Sequence, residues 1–236
     1  MNIKTITFLM FSIFSYDAWA QLIVNSSIET FDDPRETRKD ITVINRNLND
    51  VLYVSVDAFE VMNPGEANQE LVAILPTNNP KFLVTPNKLI IQPGGRSIVR
   101  FLNLNKSESE ESIYRVNFTP VEAPLEIQSD LNDDEKSASV EVLIAYQVLV
   151  MDRPIVAQSN YEYKRKGNNL TFTNSGNTNY LLFDGEQCNP VDLNECERIP
   201  DHRVYAGNTW TVDLPFDAPV RYTLKNEIGN STQIIE

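Results

Sequence analysis

The chain has 236 residues, of which 42% are hydrophobic and 22% are charged, a composition typical of folded globular proteins and not of disordered ones. Its formal net charge of −13 argues against a nucleic-acid or anionic-membrane surface, because both favour proteins rich in Lys and Arg. No stretch after the N-terminal segment approaches the ~20 consecutive apolar residues that a membrane helix needs.

Residues 1–20 have the pattern of an export signal. Lys4 supplies a positive charge, residues 6–14 supply an apolar segment, and residues 18–20 match an A-x-A cleavage site. The sequence therefore predicts an exported protein with a cleaved signal peptide, whose mature chain begins near Gln21. The remainder is long enough for one large or two ordinary domains.

Most of the mature chain has the pattern of short β-strands separated by turns, without a sustained helical period. The apolar and β-branched runs predict strands at 40–45, 51–61, 82–84, 88–91, 96–104, 112–119, 160–164, 169–174, 180–184, 209–214 and 220–226. In the strand at 112–119, alternation places Tyr114, Val116 and Phe118 on one face and Arg115 on the other. Short strands at this spacing predict β-sandwiches.

The longest predicted strand covers residues 140–151 and follows an acidic, polar loop at 123–139. Its twelve residues contain neither Gly nor Pro and would span roughly 40 Å, about twice the usual strand length. Because both of its faces are largely apolar, such a strand either lies deep in a sandwich or keeps one edge for a partner. Pro154 ends it, since proline cannot donate to a ladder.

Pro154 is also the predicted boundary between two domains. The first domain covers residues 21–153 and contains the long strand. The second covers residues 154–236 and contains both cysteines of the chain.

Cys188 and Cys196 lie eight positions apart. In an exported protein, such a pair indicates one local disulfide, and a loop this short stabilises a fold by roughly 2–3 kcal/mol. Metal binding is the competing interpretation, but a single His202 and the lack of further cysteines support it poorly. No metal site is predicted.

Enzymatic interpretations find little support in the residues. A hydrolytic triad would need His202 as its base, but this histidine lies in a polar loop and the chain has no nucleophile-elbow motif. Residues 130–134 have the acid spacing of a calcium loop with Glu141 at its last position, but Glu135 stands where that loop needs Gly. A solvated acidic loop is the favoured interpretation, and a non-enzymatic protein is predicted.

Two arginines, Arg100 and Arg115, each place a guanidinium in an otherwise apolar strand. An outward-facing arginine on a solvated sheet is one interpretation. The alternative is an anchor for a carboxylate, which a guanidinium binds in a bidentate and charge-assisted way. The residues alone leave both interpretations open.

Three segments, in this order, resemble the PapD-like periplasmic chaperones of fimbrial assembly. They are residues 90–101, residues 111–116 leading to Pro120, and the long strand that ends in Arg153-Pro154. The resemblance covers nearly the whole mature chain. It implies an all-β fold of two immunoglobulin-like β-sandwich domains set at an angle, in agreement with the division at Pro154.

In this family, a strand called G1 lies at the edge of the first domain and supplies the strand that an incomplete pilin subunit lacks, which is donor-strand complementation. The resemblance implies that Val140, Val142 and Ile144 are donor residues and that Tyr146 continues their row. A pilin without that strand exposes core side chains and unpaired backbone, which would otherwise aggregate.

The resemblance also implies an anchor for the terminal carboxylate of the subunit. In the better-known branches, an Arg on the first strand and a Lys on G1 bind it, but here Ile28 and Leu149 stand at the corresponding positions. The sequence resembles instead the archaic (alternate) branch, in which a Tyr-Arg-Val motif on the preceding strand supplies the charge. Arg115 is therefore the expected anchor, and Cys188 and Cys196 also fit that branch.

Taken together, the resemblance implies a non-enzymatic chaperone of the periplasm that needs no cofactor. Its partners would be fimbrial or pilin subunits and an outer-membrane usher, without nucleic-acid binding or membrane insertion. Whether the free chaperone caps its own edge as a dimer stays open. The alternative is an exported adhesin or pilin-like structural β-sandwich protein, which would polymerise or bind glycans instead of forming a soluble one-to-one complex.

Overall fold

The computed structural model of the protein describes residues 21–121, 143–192 and 194–236. These parts of the chain form β-strands and one short 3-10 turn at Pro76–Asn78. No helix among them is long and apolar enough to cross a membrane. The strands are β1 Leu22–Val24, β2 Ile28–Phe31, β3 Arg38–Asn45, β4 Leu52–Met62, β5 Glu70–Ala73, β6 Phe82–Thr85, β7 Lys88–Ile91, β8 Arg96–Asn103, β9 Ser112–Val121, β10 Tyr146–Asp152, β11 Tyr161–Lys166, β12 Asn169–Asn174, β13 Tyr180–Cys188, β14 Cys196–Ile199, β15 His202–Val204, β16 Thr209–Asp213, β17 Val220–Lys225 and β18 Asn230–Ile235.

The strands before Pro154 form a sandwich of two sheets. Sheet 1 has the order β1-β3-β8-β6, and sheet 2 has the order β2-β10-β9-β4-β5, with β7 also paired to β4. Alternate residues of both sheets point inward and form one apolar core, in which the rings of Phe82 and Tyr114 stack at 4.5 Å between centroids. Burying each large apolar side chain stabilises the fold by roughly 1.5–3 kcal/mol.

The strands after Pro154 form a second sandwich. Sheet 3 has the order β11-β12-β16, and sheet 4 has the order β14-β13-β17-β18, with β15 also paired to β13. The core of this sandwich contains Phe172 and Tyr222. Gly185 lies at a bulge in β13, and a Cβ there would stand only 2.4 Å from the Tyr222 ring, so glycine is required for this packing. The predicted disulfide is present and joins the adjacent ends of β13 and β14.

These sheets confirm the predicted all-β fold of sandwiches. Each strand predicted outside the long one overlaps an observed strand, and the inward face predicted for Tyr114, Val116 and Phe118 is buried. The strands absent from the prediction are β1, β2, β5, β14, β15 and β18. They are short or largely exposed, so they lack the apolar alternation from which a strand is recognised.

The long predicted strand is shorter in the structure. β10 begins at Tyr146, and residues 143–145 do not belong to a strand. The prediction was wrong there because Leu143 and Ile144 are exposed and pair with no strand among the described residues. Residues 140–142 lie outside the described residues. The domain boundary stays a prediction, and Pro154 lies between β10 and β11.

Candidate functional site

β10 is apolar on both faces because it packs against two different parts of the chain. Val148 and Val150 are fully buried in the core of the first sandwich. On its other face, Met151 belongs to a small apolar cluster between the sandwiches, the junction cluster, which consists of Val61, Ile113 and Met151 with Leu149 and Tyr205 packed against it. The C-terminal half of the strand is therefore buried structure.

The N-terminal part of β10 has an open edge. β2 runs parallel to β10 and pairs with it only from Leu149 to Asp152. The N–H of Leu149 donates to the carbonyl of Ser27 at 2.9 Å, which is where this contact ends. Residues 146–148 pair with β9 on one side, and no strand in the described parts of the chain pairs with their other side. An unpaired edge of this kind can accept a strand from another chain.

Two of the predicted donor residues lie next to this edge. Ile144 has 48% of its surface exposed. Tyr146 is the first residue of β10, and its half-buried ring packs against the core of the first sandwich. Val140 and Val142 lie outside the described residues. The assignment of these four residues as donors stays a prediction.

Arg115 lies on the outer face of sheet 2, the face directed away from the core of the first sandwich. Its cross-strand partners are Leu149 on β10 and Phe59 on β4. Leu149 is in turn the partner of Ile28 on β2. The two positions expected to be basic in the better-known branches are therefore neighbours in the sheet, and Arg115 lies one strand further along the same row, about 4.8 Å away.

The guanidinium of Arg115 is half-buried. Within the described parts of the chain it forms no hydrogen bond and no ion pair, while Arg100 lies 3.9 Å from Asp40 on sheet 1. A cation that is partly removed from water without a partner is destabilising, and an incoming carboxylate would compensate this cost with charge-assisted hydrogen bonds. Of the two arginines singled out in the sequence, Arg115 thus has the environment of an anchor.

A buried ion pair fixes the strands next to this row. The Nζ of Lys106 lies 3.2 Å from Oδ1 of Asp152, the last residue of β10, and donates to the carbonyl of Phe31 at 2.9 Å. Burial raises the pKa of Asp152, and the charge of Lys106 opposes that change. This pair joins the ends of β2 and β10. Lys106 was not recognised in the sequence, because it begins a charged run that resembles a solvated loop.

A second polar contact joins the two sandwiches. The buried carboxylate of Glu111 accepts hydrogen bonds from the backbone N–H and from Nδ2 of Asn179, at 3.0 and 2.7 Å. Nη1 of Arg203 donates to Oδ1 of the same asparagine. Burial raises the pKa of Glu111 to about 7, although Arg153 and Arg203 favour its charged form. The sequence carries no signal for this contact, because its members are far apart along the chain.

The residues considered for catalysis or metal binding have structural surroundings. His202 lies in β15 and not in a loop as predicted, because it pairs with Leu182 of β13. Its ring stacks on Trp210 with centroids 4.8 Å apart, and burial lowers its pKa. In the described ranges, no group of three or more His, Cys, Asp or Glu residues could hold a metal ion. The acidic segment considered for calcium lies outside these ranges.

Comparison with known proteins identifies relatives of this fold. No model of a known protein family matches the chain. Over 166 residues, it is 26% identical to a CS1 fimbrial protein of Escherichia coli, a match that covers 68% of each chain. The solved structure of CfaA, a chaperone of class 5 fimbriae, matches with a TM-score of 0.60 and 20% identity, over 91% of this chain and 99% of CfaA.

A second solved structure is the complex of CsuC and CsuE, a chaperone and a tip adhesion subunit of the archaic Csu pili of Acinetobacter baumannii. It matches with a TM-score of 0.58 and 11% identity, over 92% of this chain and 98% of the matched chain. The similar TM-scores of these structures do not separate the branches of the family. The two sandwiches, the parallel pairing of β2 with β10 and these matches together show that the chain has the fold of the PapD-like periplasmic fimbrial chaperones.

Proposed function

We propose that this protein is a periplasmic chaperone that binds fimbrial subunits by donor-strand complementation and delivers them to an outer-membrane usher. One observation carries the proposal: within the described parts of the chain, the open edge of β10 lies beside a half-buried, unpaired guanidinium. An edge can bind any extended segment, but the cation next to it selects a segment that ends in a carboxylate.

The backbone of β10 would provide the first part of the interaction. In the described structure, residues 146–148 offer unpaired N–H and C=O groups on one side, held rigidly because β9 pairs with their other side. A subunit strand added there would extend sheet 2. The apolar residues that precede β10, at 140, 142 and 144, would then fill the groove that an incomplete subunit exposes. No covalent step and no cofactor is needed for this exchange.

Arg115 would provide the second part, which is the register. A charge-assisted, bidentate bond to the subunit's terminal carboxylate fixes one end of the added strand. Ile28 and Leu149 surround this bond with apolar side chains and thereby strengthen it, since the local dielectric constant falls. The apolar residues at these two positions support the archaic (alternate) branch of the family, in which the preceding strand carries the charge.

Export to the periplasm belongs to the same proposal. The N-terminal segment has the pattern of a cleaved signal, and the Cys188–Cys196 disulfide suits an oxidising compartment. The chaperones CfaA and CsuC share the fold, which supports a binding protein and not an enzyme.

Arg115→Glu tests the anchor. A carboxylate in place of the guanidinium repels the subunit terminus, so we expect subunit co-purification and pilus yield to be lost. Arg96→Glu is the matched control, because Arg96 is exposed on sheet 1, away from β10, and its substitution should leave both unchanged. Undiminished co-purification with Arg115→Glu would show that Arg115 is not the anchor.

The same pull-down from periplasmic extract separates this function from the alternative of a pilin-like structural protein. A chaperone brings down a second small β-protein in a soluble complex with one copy of each. A structural subunit would polymerise with itself, and its polymers would not depend on Arg115.

A further inference from the structure

Tyr205 of the second sandwich lies over the outer face of sheet 2, close to Arg115. Its ring packs in the junction cluster, which occupies the row next to Arg115. Ile113 precedes Arg115 by two positions on β9, and Met151 follows Leu149, the strand partner of Arg115, by two positions on β10. Residues two apart on a strand lie on the same face, about 7 Å from each other. The ring thus covers the sheet directly beside the guanidinium.

The position of this ring is set by close packing on its other side. A Cβ atom at Gly65 would stand 2.9 Å from Cδ2 of Tyr205, so only glycine leaves room for the ring, and the φ of +79° at Gly65 also favours glycine. Nδ2 of Asn208 donates to the carbonyl of Pro64 at 2.7 Å and holds the two segments together. The ring is therefore fixed relative to the first sandwich.

Two polar groups lie near each other here without partners among the described residues. Within those residues, neither the guanidinium of Arg115 nor the hydroxyl of Tyr205 forms a hydrogen bond. Burial raises the pKa of Tyr205, against the opposing charges of Arg203 and Arg115. The hydroxyl therefore stays protonated and can donate a hydrogen bond. A half-buried donor without an acceptor is destabilising until a ligand supplies one.

We propose that the hydroxyl of Tyr205 is the second ligand of the subunit's terminal carboxylate and donates a hydrogen bond to it while Arg115 binds its charge. This inference rests on the proposed function and adds a residue to the same site. A carboxylate has two oxygens and accepts several hydrogen bonds, so both donors can bind it together. The apolar Ile28 and Leu149 on the other side of Arg115 offer no competing donor.

One consequence is that both sandwiches contribute to the anchor. Arg115 belongs to β9 of the first sandwich, and Tyr205 follows β15 of the second. A bound carboxylate would bridge them, so the bound fimbrial partner would also hold the two sandwiches in one arrangement.

Tyr205→Phe tests this assignment, because it keeps the packed ring and removes only the hydroxyl. The probe is the fimbrial subunit that co-purifies with the protein, prepared with its native C-terminus and with three added residues that displace the carboxylate. We expect Tyr205→Phe to weaken binding of the native subunit by roughly tenfold or more and to leave binding of the extended subunit unchanged. Tyr163→Phe, at an exposed tyrosine of β11, is the matched control and should change neither.

Two results would overturn the inference. An unchanged affinity for the native subunit would show that the hydroxyl does not bind the carboxylate, and an equal loss for both subunit forms would show that Tyr205 acts only through packing. In both cases the proposed function stands as long as Arg115→Glu abolishes binding. If the wild-type protein binds neither form, the proposed function fails together with the inference.

Discussion

At the scale of single residues, charged side chains hold β10 in place from inside the protein. The Lys106–Asp152 pair is almost fully buried, at 8% and 3% side-chain exposure, and it links the last residue of β10 to the end of β2. A buried pair is not necessarily a net gain in stability, because both charges lose their hydration. Its effect here is geometric: it sets where the parallel contact of β2 with β10 lies, and so where the open edge begins.

Lys106→Met should be strongly destabilising, since it leaves the carboxylate of Asp152 buried without a counter-charge. We expect a loss of about 3–5 kcal/mol in the free energy of unfolding, measured by denaturant titration. Lys164→Met is the matched control, because Lys164 and Glu162 form an exposed pair at 3.4 Å whose removal should cost less than about 1 kcal/mol. Equal effects of the two variants would contradict the structural role of the buried pair.

At the scale of the element, β10 combines two functions along one chain segment. Its described C-terminal half is packed on both faces, by the core of the first sandwich and by the junction cluster. Its N-terminal end has a free edge in the described structure and is preceded by exposed apolar residues. Rigid pairing of one half can present the other half to a partner without the entropic cost of ordering the whole strand at binding.

Substitutions in the two halves should therefore have different effects. Val142→Asp combined with Ile144→Asp should release the subunit or expose it to degradation, while the unfolding temperature of the free protein stays close to wild type. Val148→Ala, in the buried half, should instead lower the free energy of unfolding by about 1–3 kcal/mol through the cavity that it leaves. A complex with the subunit that survives the double substitution would contradict the donor-strand assignment.

At the scale of the whole molecule, the two sandwiches meet through one apolar cluster and several polar contacts. Glu111 of the first sandwich binds Asn179 of the second, and Nδ2 of Asn177 donates to the carbonyl of Ser109 at 2.9 Å. The buried carboxylate of Glu111 is a titratable member of this junction, so the junction responds to pH.

The sign of that response follows from the pKa of Glu111, which burial raises from 4.5 to about 7. The folded protein then holds a proton between these values that the unfolded chain releases, so the stabilisation is complete below pH 4.5 and is lost as the pH rises through 7. For Glu111 alone, this loss is on the order of 3 kcal/mol. Glu111→Gln should flatten the dependence of unfolding free energy on pH over this window, and an unchanged slope would contradict the assignment.

The local structure of this protein and its family resemblance were predictable from the sequence, because both depend on neighbours along the chain. Alternation of apolar residues in β9 correctly placed Tyr114, Val116 and Phe118 in the core. The disulfide was predictable for the same reason, since its cysteines lie eight residues apart. The Arg115 anchor rested on a short motif and remains a prediction.

The cover on the outer face of sheet 2 became visible only in three dimensions. Ile113 is as buried as the core residues although alternation places it on the opposite face, because Tyr205 and the rest of the junction cluster lie against it. The same packing brings Tyr205 beside Arg115 across about 90 positions of sequence. Local patterns contain no information on such contacts, since burial by a second domain depends on how the two sandwiches pack and not on the period of either strand.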